Sequence, residues 1–130
     1  MIVVDASVMV PALADDGTDG DSARARLRGE RLAAPHVIDL EVASTWRRMA
    51  SAGELGPRRV DLALSDLLAL RLERVSHGPL LRRCWDLRAN VGIYDAAYVA
   101  LAKAMDTTLL TADGRLAAAP GVRCSIEVLT

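Results

Sequence analysis

Four carboxylates lie where predicted elements of secondary structure begin or end, and their positions point to chemistry. Asp5 and Asp113 each follow an apolar run typical of a buried strand. Glu41 lies early in an amphipathic helix, and Asp95 opens a helix that is otherwise nearly all apolar. In open α/β sheets, ligands bind at the carboxyl ends of the strands. Four acids that met there would repel one another unless cations joined them. The pattern therefore predicts a divalent-metal site and, with it, phosphate chemistry.

The charge and the ligand type indicate which metal this site would bind. Two divalent ions would balance four carboxylates, and hard oxygen ligands that leave room for water suit Mg²⁺, with Mn²⁺ as a substitute. Two such ions about 3.5–4 Å apart activate a water and stabilise the leaving oxygen of a phosphodiester. Histidine is not needed, and His36 and His77 lack the spacing of metal ligands. We predict one or two ions held by the four acids.

Each acid taken alone has a simpler explanation. Asp5 and Asp95 are also suited to cap the helices that follow them, and Asp113 to cap a helix or form an Asx turn. Glu41 is compatible with a solvated helix position. The shared placement favours the site, because Asp95 falls on the same apolar helix face as Tyr98, where an unpaired charge is costly.

The elements that must position these acids alternate between strands and helices. Apolar runs and turn residues predict strands at 2–4, 31–35, 72–75, 107–111 and 122–129. Apolar periodicity predicts helices at 7–13, 22–28, 36–52, 58–70, 79–89, 94–105 and 114–118. Residues 15–21 are predicted to form a Gly/Asp loop, and Pro11 is expected to be tolerated only in the first turn of its helix. This order predicts one α/β domain over residues 1–130, with a parallel sheet covered on both faces.

Composition excludes several classes of protein. The 16 basic and 17 acidic residues give a net charge of −1, which argues against a generic basic nucleic-acid binder and against an acidic tail. Lys103 is the only lysine, and every other basic residue is arginine, the better bidentate ligand for phosphate. Cys84 and Cys124 form no disulfide framework, and no signal peptide or membrane span is evident. We expect a cytoplasmic protein with no membrane association.

The chain resembles the PIN-domain ribonucleases, and among them the VapC toxins of bacterial toxin–antitoxin pairs. The resemblance covers nearly the whole chain and is carried, in this order, by the stretches MIVVDASV, DLEVASTW, YDAAYVALA and TTLLTADGRL. It implies a three-layer α/β/α sandwich around a central, mainly parallel five-stranded sheet. It also implies an Mg²⁺- or Mn²⁺-dependent endoribonuclease that leaves a 3′-hydroxyl and a 5′-phosphate.

The resemblance further implies a set of site residues and partners. By motif position, the site would consist of four acids and two supporting polar residues: Asp5, Glu41, Asp95, Asp113, Ser7 and Thr111. The substrate would be RNA (tRNA, rRNA or mRNA), a VapB-like antitoxin would block the site, and homodimers would be usual. One departure is that Gly114 and Arg115 follow Asp113, where some relatives carry a further acid. Whether one ion or two bind thus stays open.

Three other functions are compatible with parts of the pattern. A PIN-domain nuclease in housekeeping RNA processing is the nearest, and a non-catalytic PIN-like binding module is the second. A phosphatase of the haloacid-dehalogenase type also begins with an Asp after a strand. That type needs a second Asp two residues later, and Ser7 stands there instead.

Overall fold

A parallel sheet of five strands forms the centre of the structure, a computed structural model that describes residues 1–130. The strands in chain order are β1 (Ile2–Val4), β2 (Leu32–Pro35), β3 (Leu72–Val75), β4 (Leu109–Thr111) and β5 (Ile126–Val128). They lie in the order β3-β2-β1-β4-β5, and every neighbouring pair is parallel. All five predicted strands are therefore present. Since β1 and β4 are neighbours, their carboxyl ends lie side by side.

Seven helices cover the sheet. They are α1 (Ala6–Ala14), α2 (Thr18–Leu27), α3 (Ile38–Ser51), α4 (Pro57–Ala69), α5 (Leu81–Asp86), α6 (Ile93–Ala104) and α7 (Gly114–Ala118). Helix α1 packs on α2, α3 and α4, whereas α6 packs on α5 and lies against β1, β2 and β4. The predicted α/β/α sandwich is confirmed. None of the helices combines the length and the apolar character that crossing a membrane requires.

Apolar side chains on the central strands and on one face of α3 build the core next to the cleft. All of β1 is buried, as expected for a strand with neighbours on both sides and helices on both faces. Ile38, Val42 and Trp46 form the buried face of α3, and Met49 packs partly buried against the same core. The Trp46 indole Nε1 donates to the Val10 carbonyl at 3.4 Å, which ties α3 to α1.

The loop predicted at residues 15–21 is confirmed only for residues 15–17, because α2 already begins at Thr18. The Asp15 carboxylate accepts hydrogen bonds from the N–H groups of Gly17 at 3.1 Å and Gly20 at 2.8 Å, and so holds the chain in a tight turn. A Cβ on Gly20 would lie 1.9 Å from the Asp15 carbonyl oxygen. Glycine is required by this close approach, which a Gly/Asp-rich sequence does not reveal.

The prediction that Pro11 stands only in a first turn was wrong. Helix α1 starts at Ala6, so Pro11 lies in its interior and offers no N–H to the Ser7 carbonyl. Burial of Val8, Met9 and Ala12 on this helix outweighs the lost hydrogen bond. The Asp15 N–H still donates to the Pro11 carbonyl at 2.9 Å, so the helix continues past the proline.

Two predicted elements are shorter than expected. The helix expected at 79–89 is a 3₁₀ turn (Gly78–Leu80) followed by α5, which ends at Asp86. The N–H of Leu87 is shared between the carbonyls of Arg83 and Cys84, a bifurcated bond common at helix ends. Strand β5 keeps only the three residues that pair with β4.

Replacing Gly20 by alanine should destabilise the protein by about 1–3 kcal/mol, the usual cost of overpacking. Alanine in a helix interior is ordinarily more favourable than glycine. Here the added Cβ would collide with the Asp15 carbonyl. The exposed Gly78 provides the control, since a Cβ there meets only ordinary contacts. Urea unfolding of Gly20→Ala and Gly78→Ala measures both effects, and equal midpoints would contradict this account of the turn.

Candidate active site

All four predicted acids line one cleft of about 740 Å³ at the carboxyl ends of β1 and β4. They come from four separate segments: Asp5 after β1, Glu41 in α3, Asp95 in α6 and Asp113 after β4. Ser7 also lines this cleft, and Thr111 lies buried beneath it. The topology therefore gathers all six residues that the sequence singled out.

Asp5 is a buried carboxylate that the fold holds through side-chain hydroxyls. It occupies the N-cap position of α1, yet its side chain makes no capping hydrogen bond. Its Oδ2 atom instead accepts hydrogen bonds from Thr111 Oγ1 at 2.7 Å and from Ser7 Oγ at 2.9 Å. Only 6% of Asp5 is exposed. Helix capping alone thus does not explain this carboxylate, whose Oδ1 atom is left without a protein donor.

The same two hydroxyls join β1 to β4. Ser7 Oγ accepts from the Ala112 N–H at 3.0 Å, and Thr111 Oγ1 accepts from the Asp113 N–H at 3.1 Å. Each hydroxyl therefore donates to Asp5 and accepts from the backbone that follows β4. This network aligns the loop carrying Asp113 with Asp5, although the two segments are more than a hundred residues apart in sequence.

Glu41 is held by a residue that the sequence analysis did not assign to the site. The Tyr98 hydroxyl donates to Glu41 Oε1 at 2.7 Å across the α3–α6 interface. Burial raises the pKa of Glu41; the Tyr98 hydrogen bond opposes the rise, and the charges of Asp5 and Asp95 add to it. Tyr98 is fully buried. Its place on the Asp95 helix face was the available signal, because a buried tyrosine hydroxyl usually requires a partner.

Asp95 and Asp113 lie in contrasting environments. Gly92 is the N-cap of α6, so Asp95 does not cap its helix. Burial raises the pKa of Asp95, and the charges of Asp5 and Asp113 raise it further. Asp113 does cap α7, and its carboxylate also pairs with the Arg115 guanidinium in two bonds of 3.1 Å. The Arg115 hydrogen bonds lower the pKa of Asp113.

The donor set suits a hard divalent cation in its chemistry, but the side chains are not arranged as a finished chelate. Burial raises the pKa values of Glu41 and Asp95, and the charges of neighbouring acids raise them further, which is the electrostatic condition that a bound cation relieves. No three His, Cys, Asp or Glu side chains converge on a common metal position. Two of the four acids already have a side-chain partner, because Tyr98 donates to Glu41 and Arg115 donates to Asp113.

Replacing Asp95 by asparagine should raise the unfolding temperature of the metal-free protein at pH 7. The folded state holds the Asp95 proton more tightly than the unfolded chain, because its pKa is raised above the ordinary 3.8. The free energy of unfolding therefore falls as the pH rises from below 3.8 through the raised pKa. Asp95→Asn removes this loss, so the two proteins should converge in acid.

Asp113→Asn is the control for this thermal melt, which is followed by circular dichroism in EDTA. Arg115 lowers the pKa of Asp113, so the ionised Asp113 carboxylate stabilises the fold. Replacing Asp113 by asparagine should therefore not raise the unfolding temperature at pH 7. A lower unfolding temperature for Asp95→Asn at pH 7 would contradict the electrostatic account of the cleft.

Comparison with known proteins assigns the family. Residues 2–122 match the PIN domain. The chain is 44% identical to ribonuclease VapC1 of Mycobacterium tuberculosis over 128 residues, which cover 98% of this chain and 96% of that protein. It is 43% identical to ribonuclease VapC9 of the same species over 129 residues, which cover 99% and 98% of the two chains.

Solved structures share the fold at lower sequence identity. VapBC2 from Rickettsia felis, bound to a DNA fragment from its promoter, superposes with a TM-score of 0.71 at 17% identity and covers both chains fully. VapC20 of M. tuberculosis, a toxin that cleaves the sarcin-ricin loop, gives a TM-score of 0.71 at 16% identity, with 95% and 97% of the two chains covered. The α/β/α sandwich, the matched PIN domain and the near full-length identity together show that this chain belongs to the PIN-domain family and, within it, to the VapC ribonucleases.

Proposed function

We propose that residues 1–130 form a single PIN domain that acts as the endoribonuclease toxin of a type II toxin–antitoxin system. The observation that carries this proposal is the meeting of four carboxylates from four segments in one cleft. The chain's 44% identity to a VapC ribonuclease over 98% of its length supports it. The reaction would be hydrolysis of an RNA phosphodiester bond by water.

Mg²⁺, or Mn²⁺ in its place, is the cofactor that fits these residues. Asp5 and Asp95 would bind it directly, since each has carboxylate oxygen free of protein donors, and Glu41 and Asp113 would complete the site. A bound divalent cation supplies Lewis acidity, which makes a water more acidic and neutralises charge on the leaving oxygen. The number of ions, one or two, depends on whether Asp113 leaves Arg115.

The protein's own contribution is to position these oxygens before RNA arrives. Ser7 and Thr111 hold the Asp5 carboxylate in one orientation through hydrogen bonds to a single oxygen. Tyr98 does the same for one oxygen of Glu41 and leaves the other to accept a hydrogen bond from the attacking water. Preorganised groups of this kind lower the barrier because they need no rearrangement during the reaction.

A VapB-like antitoxin is the partner we assign to this chain, in line with the VapBC complexes that share its fold. An antitoxin arginine would pair with the carboxylates of the cleft and so occupy the place of the cations. We further propose a cytoplasmic homodimer whose substrate is tRNA, rRNA or mRNA. A housekeeping PIN nuclease would lack the antitoxin, and a binding module would lack the cleavage.

Asp95→Asn should cut RNA at least about a hundred-fold more slowly than the wild-type protein, since removing a ligand forfeits several kcal/mol of cation stabilisation. Antitoxin-free protein is incubated with total RNA in Mg²⁺, Mn²⁺ or EDTA, and the new ends are mapped by sequencing. Asp61→Asn, which changes an exposed acid on α4, is the matched control and should cut normally. Cuts that persist in EDTA or in Asp95→Asn would exclude the proposed mechanism.

Arg115→Gln should lower the Mg²⁺ concentration that gives half-maximal thermal stabilisation. Arg115 now neutralises Asp113, so a cation must compete with its guanidinium for the same carboxylate. Removal of the competitor should strengthen cation binding, and a thermal melt against Mg²⁺ concentration measures this without RNA. Arg82→Gln, which changes an exposed arginine of α5, is the control. An unchanged or higher half-maximal concentration would show that Arg115 does not compete.

A further inference from the structure

Tyr94 presents an aromatic ring to solvent at the edge of the acidic cleft. It stands directly before Asp95 in the first turn of α6, lines the cleft, and is 64% exposed. Tyr98, on the same helix, is fully buried. The Tyr94 hydroxyl makes no hydrogen bond within the protein, and the ring does not pack into the core. Neither hydrogen bonding nor core packing therefore explains a tyrosine at this position. What it offers beside the acids is a flat, accessible π-face.

Arg48 places an unneutralised positive charge in the same cleft. It lies two turns after Glu41 on one face of α3, and it is the only basic residue that lines the cleft. Its guanidinium donates to Ser44 Oγ at 3.3 Å and to Thr45 Oγ1 at 3.1 Å. These hydroxyls orient the guanidinium without cancelling its charge. By contrast, the Arg115 guanidinium, which also reaches an acid of the cleft, is paired with the Asp113 carboxylate.

We propose that Tyr94 stacks against an unpaired RNA base and that Arg48 binds a neighbouring phosphate, so that these two residues position the strand beside the acids. This inference rests on the proposed ribonuclease function and names two residues that hold its substrate. Aromatic rings bind splayed, unpaired bases in this way, and arginine binds the adjoining backbone. In a paired A-form helix the base faces are covered by their neighbours, and no face would reach Tyr94.

The electrostatics of the cleft explain why both contacts are needed. Four carboxylates repel an approaching phosphate, so residues beside the acids must supply the contacts that bind the RNA strand. Because an RNA base is uncharged, the carboxylates do not repel it, and it can stack on an aromatic ring beside them. Arg48 supplies the attraction for one phosphate, and it does so from α3, whereas Tyr94 acts from α6. The two contacts therefore come from separate helices that both contribute acids to the cleft.

The two roles have different signatures in a binding measurement. Loss of one stacked base should weaken single-strand binding about ten-fold, independently of salt. Loss of one phosphate contact should lower the slope of log affinity against log salt by about 0.7, the value for one contact on a single strand. Tyr94 variants should therefore change affinity at constant slope, and Arg48 variants should change the slope.

The test measures fluorescence anisotropy in Mg²⁺ with the full chain carrying Asp95→Asn, the change that should slow cleavage during the measurement. The probe is a labelled single-stranded oligoribonucleotide of mixed sequence, alone or annealed to its complement. Tyr94→Leu should bind the single strand about ten-fold more weakly and the duplex unchanged, whereas Tyr94→Trp should keep the affinity. Arg48→Gln should reduce the salt slope. Trp85→Leu is the matched control, because Trp85 is 57% exposed but lies outside the cleft.

Each outcome decides the inference. Tyr94→Leu that binds the single strand as tightly as its parent, or that loses duplex binding equally, overturns it. If wild-type protein cuts RNA while the Tyr94 variants bind normally, the ribonuclease function stands and the inference falls. If wild-type protein neither cuts nor binds RNA, both fall. Loss of affinity for an arginine-bearing antitoxin peptide without loss for RNA would assign Tyr94 to that interface and also overturn the inference.

Discussion

The buried carboxylate of Asp5 is the constraint on which the site depends. Taking an ionised group out of water is expensive unless hydrogen bonds or opposite charges replace the lost solvent. Here two hydroxyls supply the bonds, and they come from the start of α1 and from the end of β4. Because β1 and β4 are parallel neighbours at the centre of the sheet, this single group joins the two segments that carry Asp5 and Asp113.

The other three acids differ in how far their surroundings compensate their negative charge. Glu41 and Asp95 are partly buried and their pKa values are raised, so the folded, metal-free protein carries charge that it does not fully compensate. Arg115 forms an ion pair with Asp113 and lowers the pKa of that carboxyl. Uncompensated charge at a binding site lowers the stability of the folded protein, and packing elsewhere commonly offsets this loss. In this chain the fully buried residues of β1, α3 and α6 provide that packing.

The cleft also imposes a requirement on whatever binds to it. A phosphate backbone would meet four negative charges there and be repelled, whereas the arginine of the proposed antitoxin would be attracted by the same four charges. RNA and an inhibitory peptide would thus compete for one surface by different physical means. Exposed apolar and aromatic groups at the rim, such as Leu40 and Tyr94, add contacts that do not depend on charge.

Local sequence was sufficient to predict the order of strands and helices and to single out the acids, although several element ends differ. The strands predicted at Ile2–Val4 and Leu72–Val75 begin and end in the structure at the predicted residues. The acids could be placed at one edge because parallel strands share a direction, so residues that follow them must meet. These inferences need only periodicity and topology, which neighbouring residues encode.

Tertiary structure alone decided the contacts that set each acid's behaviour. The bonds from Thr111 to Asp5 and from Tyr98 to Glu41 join residues 106 and 57 positions apart, and no local pattern encodes them. The close approach of Gly20 to Asp15 turned an expected loop into a helix, and burial kept α1 helical through Pro11. The sequence by itself determined which residue types reach the cleft. Only packing determined their hydrogen-bond partners, exposure and pKa shifts, because these depend on atoms that folding brings together from distant parts of the chain.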